Sequence, residues 1–149
     1  MHEPDKQAID DITHRIQQRV GIYAYQVYDD DRKRWIGEAI LGALALGLLK
    51  DYVAGFADLK AVGARHRTCV AQLIARVRAG EQSFDVRIEP VLGDIEQARQ
   101  SLASAADSSA VFEAGKARLA LALTELRVPS AEADELAGEI AEAVKPLFG

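Results

Sequence analysis

The stretch AILGALALGLL, residues 39–49, constrains the fold more than any other part of this 149-residue chain, because it contains no charged or hydrogen-bonding side chain. A helix that is apolar on all its faces belongs in a protein core or in a bilayer. Small residues four positions apart also form one strip of this helix, on which a second helix can approach closely. We therefore predict close helix packing at Ala39, Ala43 and Gly47.

The length of the apolar run favours a core over a bilayer. A membrane-spanning helix needs about twenty apolar residues. Here the run from Trp35 to Leu49 contains Glu38 and is closed by Lys50, before apolar residues resume. We therefore predict a hydrophobic central helix at about residues 31–59 that neighbouring helices surround.

Composition predicts that the rest of the chain is helical as well. Alanine is abundant, proline occurs four times and aromatic residues make up 6% of the chain. Alanine is the best helix former, and the residues that favour strands are comparatively sparse. Apolar residues also recur at spacings of three and four along most segments. We predict an all-α fold, a single-domain bundle of five to six helices over residues 1–149.

Local signals predict where several helices begin and end. Asp5 and Ser130 are residue types that cap helix starts. Gly80 is the type that ends a helix, since glycine readily takes a left-handed backbone conformation. Two segments, residues 22–28 and 84–88, fit either a helix or an extended conformation, and the sequence leaves that choice open.

No motif indicates catalysis, metal binding or a cofactor. His2, His14 and His66 lie far apart and outside any paired-ligand spacing. Cys69 falls on an apolar stripe, which is typical of a small buried hydrophobic residue rather than of a reactive thiolate. We therefore expect no catalytic residue, no metal ion and no cofactor.

A basic segment follows the central helix. Between residues 60 and 80 the chain has five Lys or Arg residues and no acid. A solvated helix paired with the acidic carboxyl-terminal helix is the favoured interpretation, since surface charges contribute little to stability. The alternative is a contact with a partner or an anionic surface. The residues are Lys60, Arg65, Arg67, Arg76 and Arg78.

Charge and cysteine content limit the function classes. The formal net charge of −5 comes entirely from the second half of the chain, which argues against nucleic-acid binding because that relies on excess Lys and Arg. The single cysteine cannot form an internal disulfide, and the amino-terminal residues lack the pattern of a secretory signal. We expect a cytoplasmic protein.

These features leave three functional interpretations. The leading one is a non-enzymatic helical interaction module, such as an adaptor, an inhibitor or immunity-type protein, or a regulatory subunit, with a protein partner; homo-oligomerisation stays open. The second is a membrane-perturbing domain that uses the apolar helix at 35–57 and the basic helix at 60–80, by architectural analogy with pore-forming and cell-death domains. The third is a bundle that binds a small ligand, lined by Tyr23, Tyr25, Tyr28 and Trp35.

Overall fold

The computed structural model describes residues 3–27, 38–57, 69–81 and 84–149. These residues form six α-helices and one short 3₁₀ helix, with no strand among them. The predicted all-α bundle of five to six helices is therefore confirmed. The helices are α1 (Glu3–Val27), α2 (Glu38–Ala57), α3 (Cys69–Arg78), α4 (Glu89–Ala103), α5 (Ser108–Glu125) and α6 (Ser130–Val144), followed by the 3₁₀ helix Lys145–Phe148.

Helix α2 is the core helix of the bundle. Its most extensive contact is with α4, and α1, α3 and α5 pack on its other sides. The predicted hydrophobic central helix is confirmed, although its expected start near residue 31 and end near residue 59 lie outside the described residues. Burial of each large apolar side chain contributes about 1.5–3 kcal/mol. Those buried on α2 are Ile40, Leu44, Leu48, Leu49, Tyr52, Val53 and Phe56.

Helix α1 buries a stripe of four aliphatic residues, as their spacing of three and four predicts. The described part of residues 22–28 belongs to the same helix, which continues to Val27. Asp5 does not cap the helix, so that prediction was wrong: it lies inside α1, and its carboxylate pairs with Arg99 of α4 at 3.0 Å. The buried stripe consists of Ile9, Ile12, Ile16 and Val20.

The other predicted helix ends are partly confirmed. Gly80 follows α3 with a φ of +95°, and its amide donates to the Val77 carbonyl at 3.0 Å, which closes the helix as predicted. The prediction for Ser130 was wrong, because the preceding Pro129 occupies the cap position and Ser130 is already helical. The described residues of 84–88 form neither helix nor strand, so this segment is an irregular connection.

An aromatic cluster joins the end of α2 to the carboxyl-terminal part of the chain. Phe56 lies at its centre, with the ring centroids of Tyr52, Phe112 and Phe148 at 5.0, 5.4 and 5.1 Å. Ring pairs at such distances stabilise by about 0.5–1.5 kcal/mol beyond their burial. Gly115 of α5 lies directly against the Phe56 ring, at a position where a Cβ would overlap it. The absence of a side chain there lets the ring fill the space between α2 and α5.

Candidate functional site

Two residues of the predicted basic segment lie on α3. Arg76 pairs with Glu81, and its guanidinium lies 4.7 Å from the centroid of the Phe84 ring. The expected pairing with the acidic carboxyl-terminal helix was therefore wrong for Arg76. Arg78 lines a shallow concavity together with Glu125 of α5. The remaining predicted contact residues, Lys60, Arg65 and Arg67, lie outside the described residues.

The predicted strip of small residues runs along the first half of α2. Ala39 lies near the beginning of the helix and Ala43 is buried. Gly47 faces α3, because a Cβ added there would lie 2.7 Å from Cδ1 of Leu73 and 3.9 Å from Cα of Val70. At Gly47, therefore, the backbones of α2 and α3 lie close together.

A concavity lies between α1 and α6, and we call it the α1/α6 groove. Its volume is about 120 Å³. The floor is apolar and comes from both helices, whereas the rim carries charged and polar side chains. The floor consists of Ile12, Ile16, Leu136, Ile140 and Ala143, and the rim of Arg15, Gln18, Arg19 and Glu139.

Polar contacts fix the two helices beside this groove. Arg19 forms an ion pair with Glu139 at 2.7 Å, and the Tyr23 hydroxyl donates to Glu132 at 2.5 Å. The hydrogen bond to the Glu132 carboxylate is the main cause that raises the pKa of Tyr23. Arg15 is exposed and has no ion pair with any described residue. Arg15 is therefore a cation of the groove rim that has no ion pair within the described part of the chain.

A second concavity lies between α2 and α5, and we call it the α2/α5 cavity. Its volume is about 60 Å³. Apolar side chains form most of its wall, and Asp51, Tyr52 and Arg118 also line it. The lining residues are Leu48, Asp51, Tyr52, Gly115, Arg118, Leu119 and Ala122.

Two buried donors of the α2/α5 cavity have no partner among the described residues. Tyr52 is only 4% exposed, and its hydroxyl makes no hydrogen bond there. Burial and the nearby charge of Glu142 raise the pKa of Tyr52 to about 12, against the opposing charge of Arg118. The Nε of Arg118 is likewise buried without a partner, and its guanidinium lies against Gly55, where a Cβ would overlap it.

Asp51 links the α2/α5 cavity to α3. Its two carboxylate oxygens accept hydrogen bonds from the backbone amides of Cys69 and Val70 at 2.7 and 2.9 Å. These are the first amides of α3, which have no acceptor within their own helix. Burial raises the pKa of Asp51, whereas both hydrogen bonds and the charges of Lys50 and Arg118 act in the opposite direction.

The other candidates for chemistry stay separate in space. Cys69 is half-buried, and burial followed by the charge of Asp51 raises the pKa of its thiol, which favours the unreactive form. His14 is exposed on α1, and the described residues contain no group of three or more possible metal ligands. Tyr23, one of the aromatic residues expected to line a ligand pocket, forms a hydrogen bond with Glu132 at the surface. Tyr28 and Trp35 lie outside the described residues, as do His2 and His66.

Sequence reasoning missed the α2/α5 cavity. The available signal was the position of Asp51 and Tyr52 on an otherwise apolar helix, together with Arg118 on an alanine- and leucine-rich one. That signal does not say which helices pair, so the three side chains had no reason to be grouped. No protein-family model, curated protein or solved structure matches this chain, and its function is therefore inferred from its own geometry.

Proposed function

We propose that this chain is a non-enzymatic helical interaction module that binds a helix of a partner protein in the α1/α6 groove. The observation that supports this function is the apolar floor of the groove beside the unpaired Arg15. A volume of about 120 Å³ holds about 8–12 non-hydrogen atoms, since one water needs roughly 10–15 Å³. The groove therefore suits one aromatic or two aliphatic side chains of the partner.

Charge specifies the partner further. Arg19 is already paired with Glu139, so Arg15 is the cation on the rim that remains for an incoming residue. Arginine pairs best with a carboxylate, which it binds through two parallel hydrogen bonds. We therefore expect the partner helix to present large apolar residues three or four positions apart, with Asp or Glu beside them.

The groove is already formed in the unbound chain. Its floor residues Ile12 and Ile16 are buried, and the contacts Arg19–Glu139 and Tyr23–Glu132 join the two helices beside the groove. A preformed site loses less conformational entropy on binding than a site that must be ordered. Binding is therefore expected to change the backbone of α1 and α6 very little.

The test is a displayed random-peptide library panned on the purified protein. We expect enriched peptides to share apolar residues three or four apart and a neighbouring acid. Ala143→Leu fills the groove and is expected to weaken binding of a synthesised consensus peptide by at least about tenfold. Ala131→Leu makes the same change at an exposed position of α6 and is expected to leave binding unchanged.

Charge reversal provides the second readout of this test. Arg15→Glu is expected to weaken binding of the consensus peptide. When panning is repeated with this variant, the preference for acidic residues is expected to disappear. The proposal is contradicted if the enriched peptides bind the Ala143→Leu protein as tightly as the wild type. It is also contradicted if panning yields no sequence whose binding depends on the groove, provided that circular dichroism shows the variants folded.

A second candidate function rests on the length of α2. The stretch Ile40–Ala57 is long and apolar enough to cross a bilayer, yet 61% of it is buried within the bundle, as is usual for a core helix. In this alternative the bundle opens on anionic membranes, α2 enters the bilayer, and Arg76 and Arg78 of α3 contact lipid headgroups. Opening must separate α2 from α3, and this step gives the test.

Dye leakage from anionic vesicles tests the membrane alternative. A Cβ at position 47 would lie 3.6 Å from Sγ of Cys69, close enough for Gly47→Cys to form a disulfide that tethers α2 to α3. If the alternative holds, the wild type releases dye, the oxidised variant does not, and reduction restores release. No release by the wild type, or equal release by the oxidised and reduced variant, contradicts it.

A further inference from the structure

We propose that the α2/α5 cavity binds a short-chain monocarboxylate, with the Tyr52 hydroxyl and the Arg118 guanidinium as the donors that hold its carboxylate. This site goes beyond the proposed function, because it involves neither helix of the α1/α6 groove. The proposal rests on three observations: unpartnered donors, an unpaired cation and an apolar wall of limited size.

The donors are the first observation. Buried polar atoms are hydrogen-bonded in the great majority of cases, yet the Tyr52 hydroxyl and the Arg118 Nε have no partner among the described residues. Both residues line the same cavity. A bound group with two acceptor oxygens satisfies both donors at once, and a carboxylate is such a group.

Charge selects an anion over a neutral acceptor. Arg118 forms no direct ion pair with any described residue; its guanidinium lies against Gly55, and its charge acts on the nearby Asp51 and Tyr52. The Asp51 carboxylate lines the cavity but already accepts two amides at the start of α3, whose helix dipole offsets its negative charge. The guanidinium is therefore the charge that an incoming ligand can neutralise. A neutral amide would leave it unmatched.

Size and wall chemistry select a short alkyl chain. A cavity of about 60 Å³ holds about 4–6 non-hydrogen atoms, if each takes the roughly 10–15 Å³ that one water needs. Acetate, propionate and butyrate have that size. Leu48, Leu119 and Ala122 supply an apolar wall for the methyl or methylene groups.

Titration of the full chain with propionate, followed by NMR at the amide signals of Gly55 and Gly115, tests the site. We expect saturable shifts of both signals, and propionamide is expected to bind at least about tenfold more weakly, because a bond to a charged group is stronger than one to a neutral group. Tyr52→Phe, which keeps the ring, and Arg118→Gln are each expected to weaken the binding of propionate by about tenfold or more.

Two further variants separate charge effects from general damage. Glu142→Gln removes a negative charge near Tyr52 and is expected to tighten propionate binding by about two- to fivefold. Lys116→Gln removes a cation of α5 that does not line the cavity, and it is expected to leave binding unchanged. Ala143→Leu is also expected to bind propionate as the wild type does, so that failure of the groove and failure of the cavity are distinguishable.

Three results overturn the proposal. If acetate, propionate and butyrate all give no saturable shift, the cavity holds ordered water only. If propionamide binds as tightly as propionate, the guanidinium does not select an anion. If Tyr52→Phe binds propionate as tightly as the wild type, the phenol is not a donor; this variant keeps the test decisive even if Arg118→Gln does not fold.

Discussion

The two halves of α2 are buried by different means. In the first half, Gly47 lets α3 lie so close that an added Cβ would be 2.7 Å from Leu73. In the second half, Phe56 projects a large ring among three other aromatic rings. One apolar helix therefore shows two packing modes: a close approach of α3 at Gly47 in the first half, and a large buried ring at Phe56 in the second.

The largest effect is expected in the aromatic half. Phe56 is 1% exposed, and Phe56→Ala would leave a cavity between α2, α5 and the 3₁₀ helix. Loss of a buried phenylalanine ring lowers the free energy of unfolding by about 3–5 kcal/mol. Urea denaturation measures this change. Leu121→Ala, at a position that is 67% exposed, is the control and is expected to change the free energy by less than about 0.5 kcal/mol.

Adding one methyl group beside the same ring is expected to have the next largest effect. Gly115→Ala places a Cβ against Phe56, whose ring has little room to move, and overpacking of this kind costs about 1–3 kcal/mol. Gly138→Ala is the matched control on α6, where no atom lies within 4 Å of the new Cβ. There the gain in helix propensity is expected to raise the free energy of unfolding by about 0.5–1 kcal/mol. Thermal denaturation that gives both variants the same sign contradicts this account.

The close-packed half is expected to respond less to the same change. The atom that meets a Cβ at Gly47 is the end of the Leu73 side chain, which can rotate, whereas Gly115 meets a ring. The remaining strain is partly offset by about 1 kcal/mol of helix propensity. We expect Gly47→Ala to change the free energy of unfolding by less than Gly115→Ala does. The opposite order in urea denaturation would show that α3 fixes α2 more rigidly than the aromatic cluster does.

The smallest effect concerns the carboxylate at the boundary of the two halves. Because burial raises the pKa of Asp51 above its unfolded value, the native state binds more protons than the unfolded state in that pH range. Asp51 therefore raises the free energy of unfolding as pH falls through its folded-state pKa. This stabilisation is lost again as pH rises.

Asp51→Asn removes this titration but keeps one acceptor for the amides of α3. We expect the wild type to lose free energy of unfolding relative to this variant as pH rises through the folded-state pKa of Asp51, with a difference at neutral pH within about 1 kcal/mol. Urea denaturation at a series of pH values measures the difference. Identical slopes for the two proteins would show that Asp51 has an ordinary pKa in the folded chain.

The sequence was most informative where periodicity alone decides the structure. The stripe from Ile9 to Val20 and the apolar helix α2 follow from spacing and composition, because burial of such faces is the main stabilising term. Local capping signals were weaker. Asp5 has the right residue type for a cap, but its carboxylate binds Arg99, a residue 94 positions away that no local rule can indicate.

The candidate sites depended still more on long-range contacts. The α1/α6 groove brings Arg15 next to Ala143, and the α2/α5 cavity brings Tyr52 next to Arg118. Neither pair has a diagnostic spacing in the chain. The polar residues Asp51, Tyr52 and Arg118 in apolar helices were a signal that the sequence analysis did not use.

The other helices bury α2, and amide hydrogen exchange in aqueous buffer without lipid or detergent measures that burial. The amides from Leu44 to Val53 are predicted to exchange only through global unfolding, with the highest protection in the described chain. If these amides exchange as fast as those at the ends of α1, or become protected only when lipid is added, α2 is not the core of the bundle.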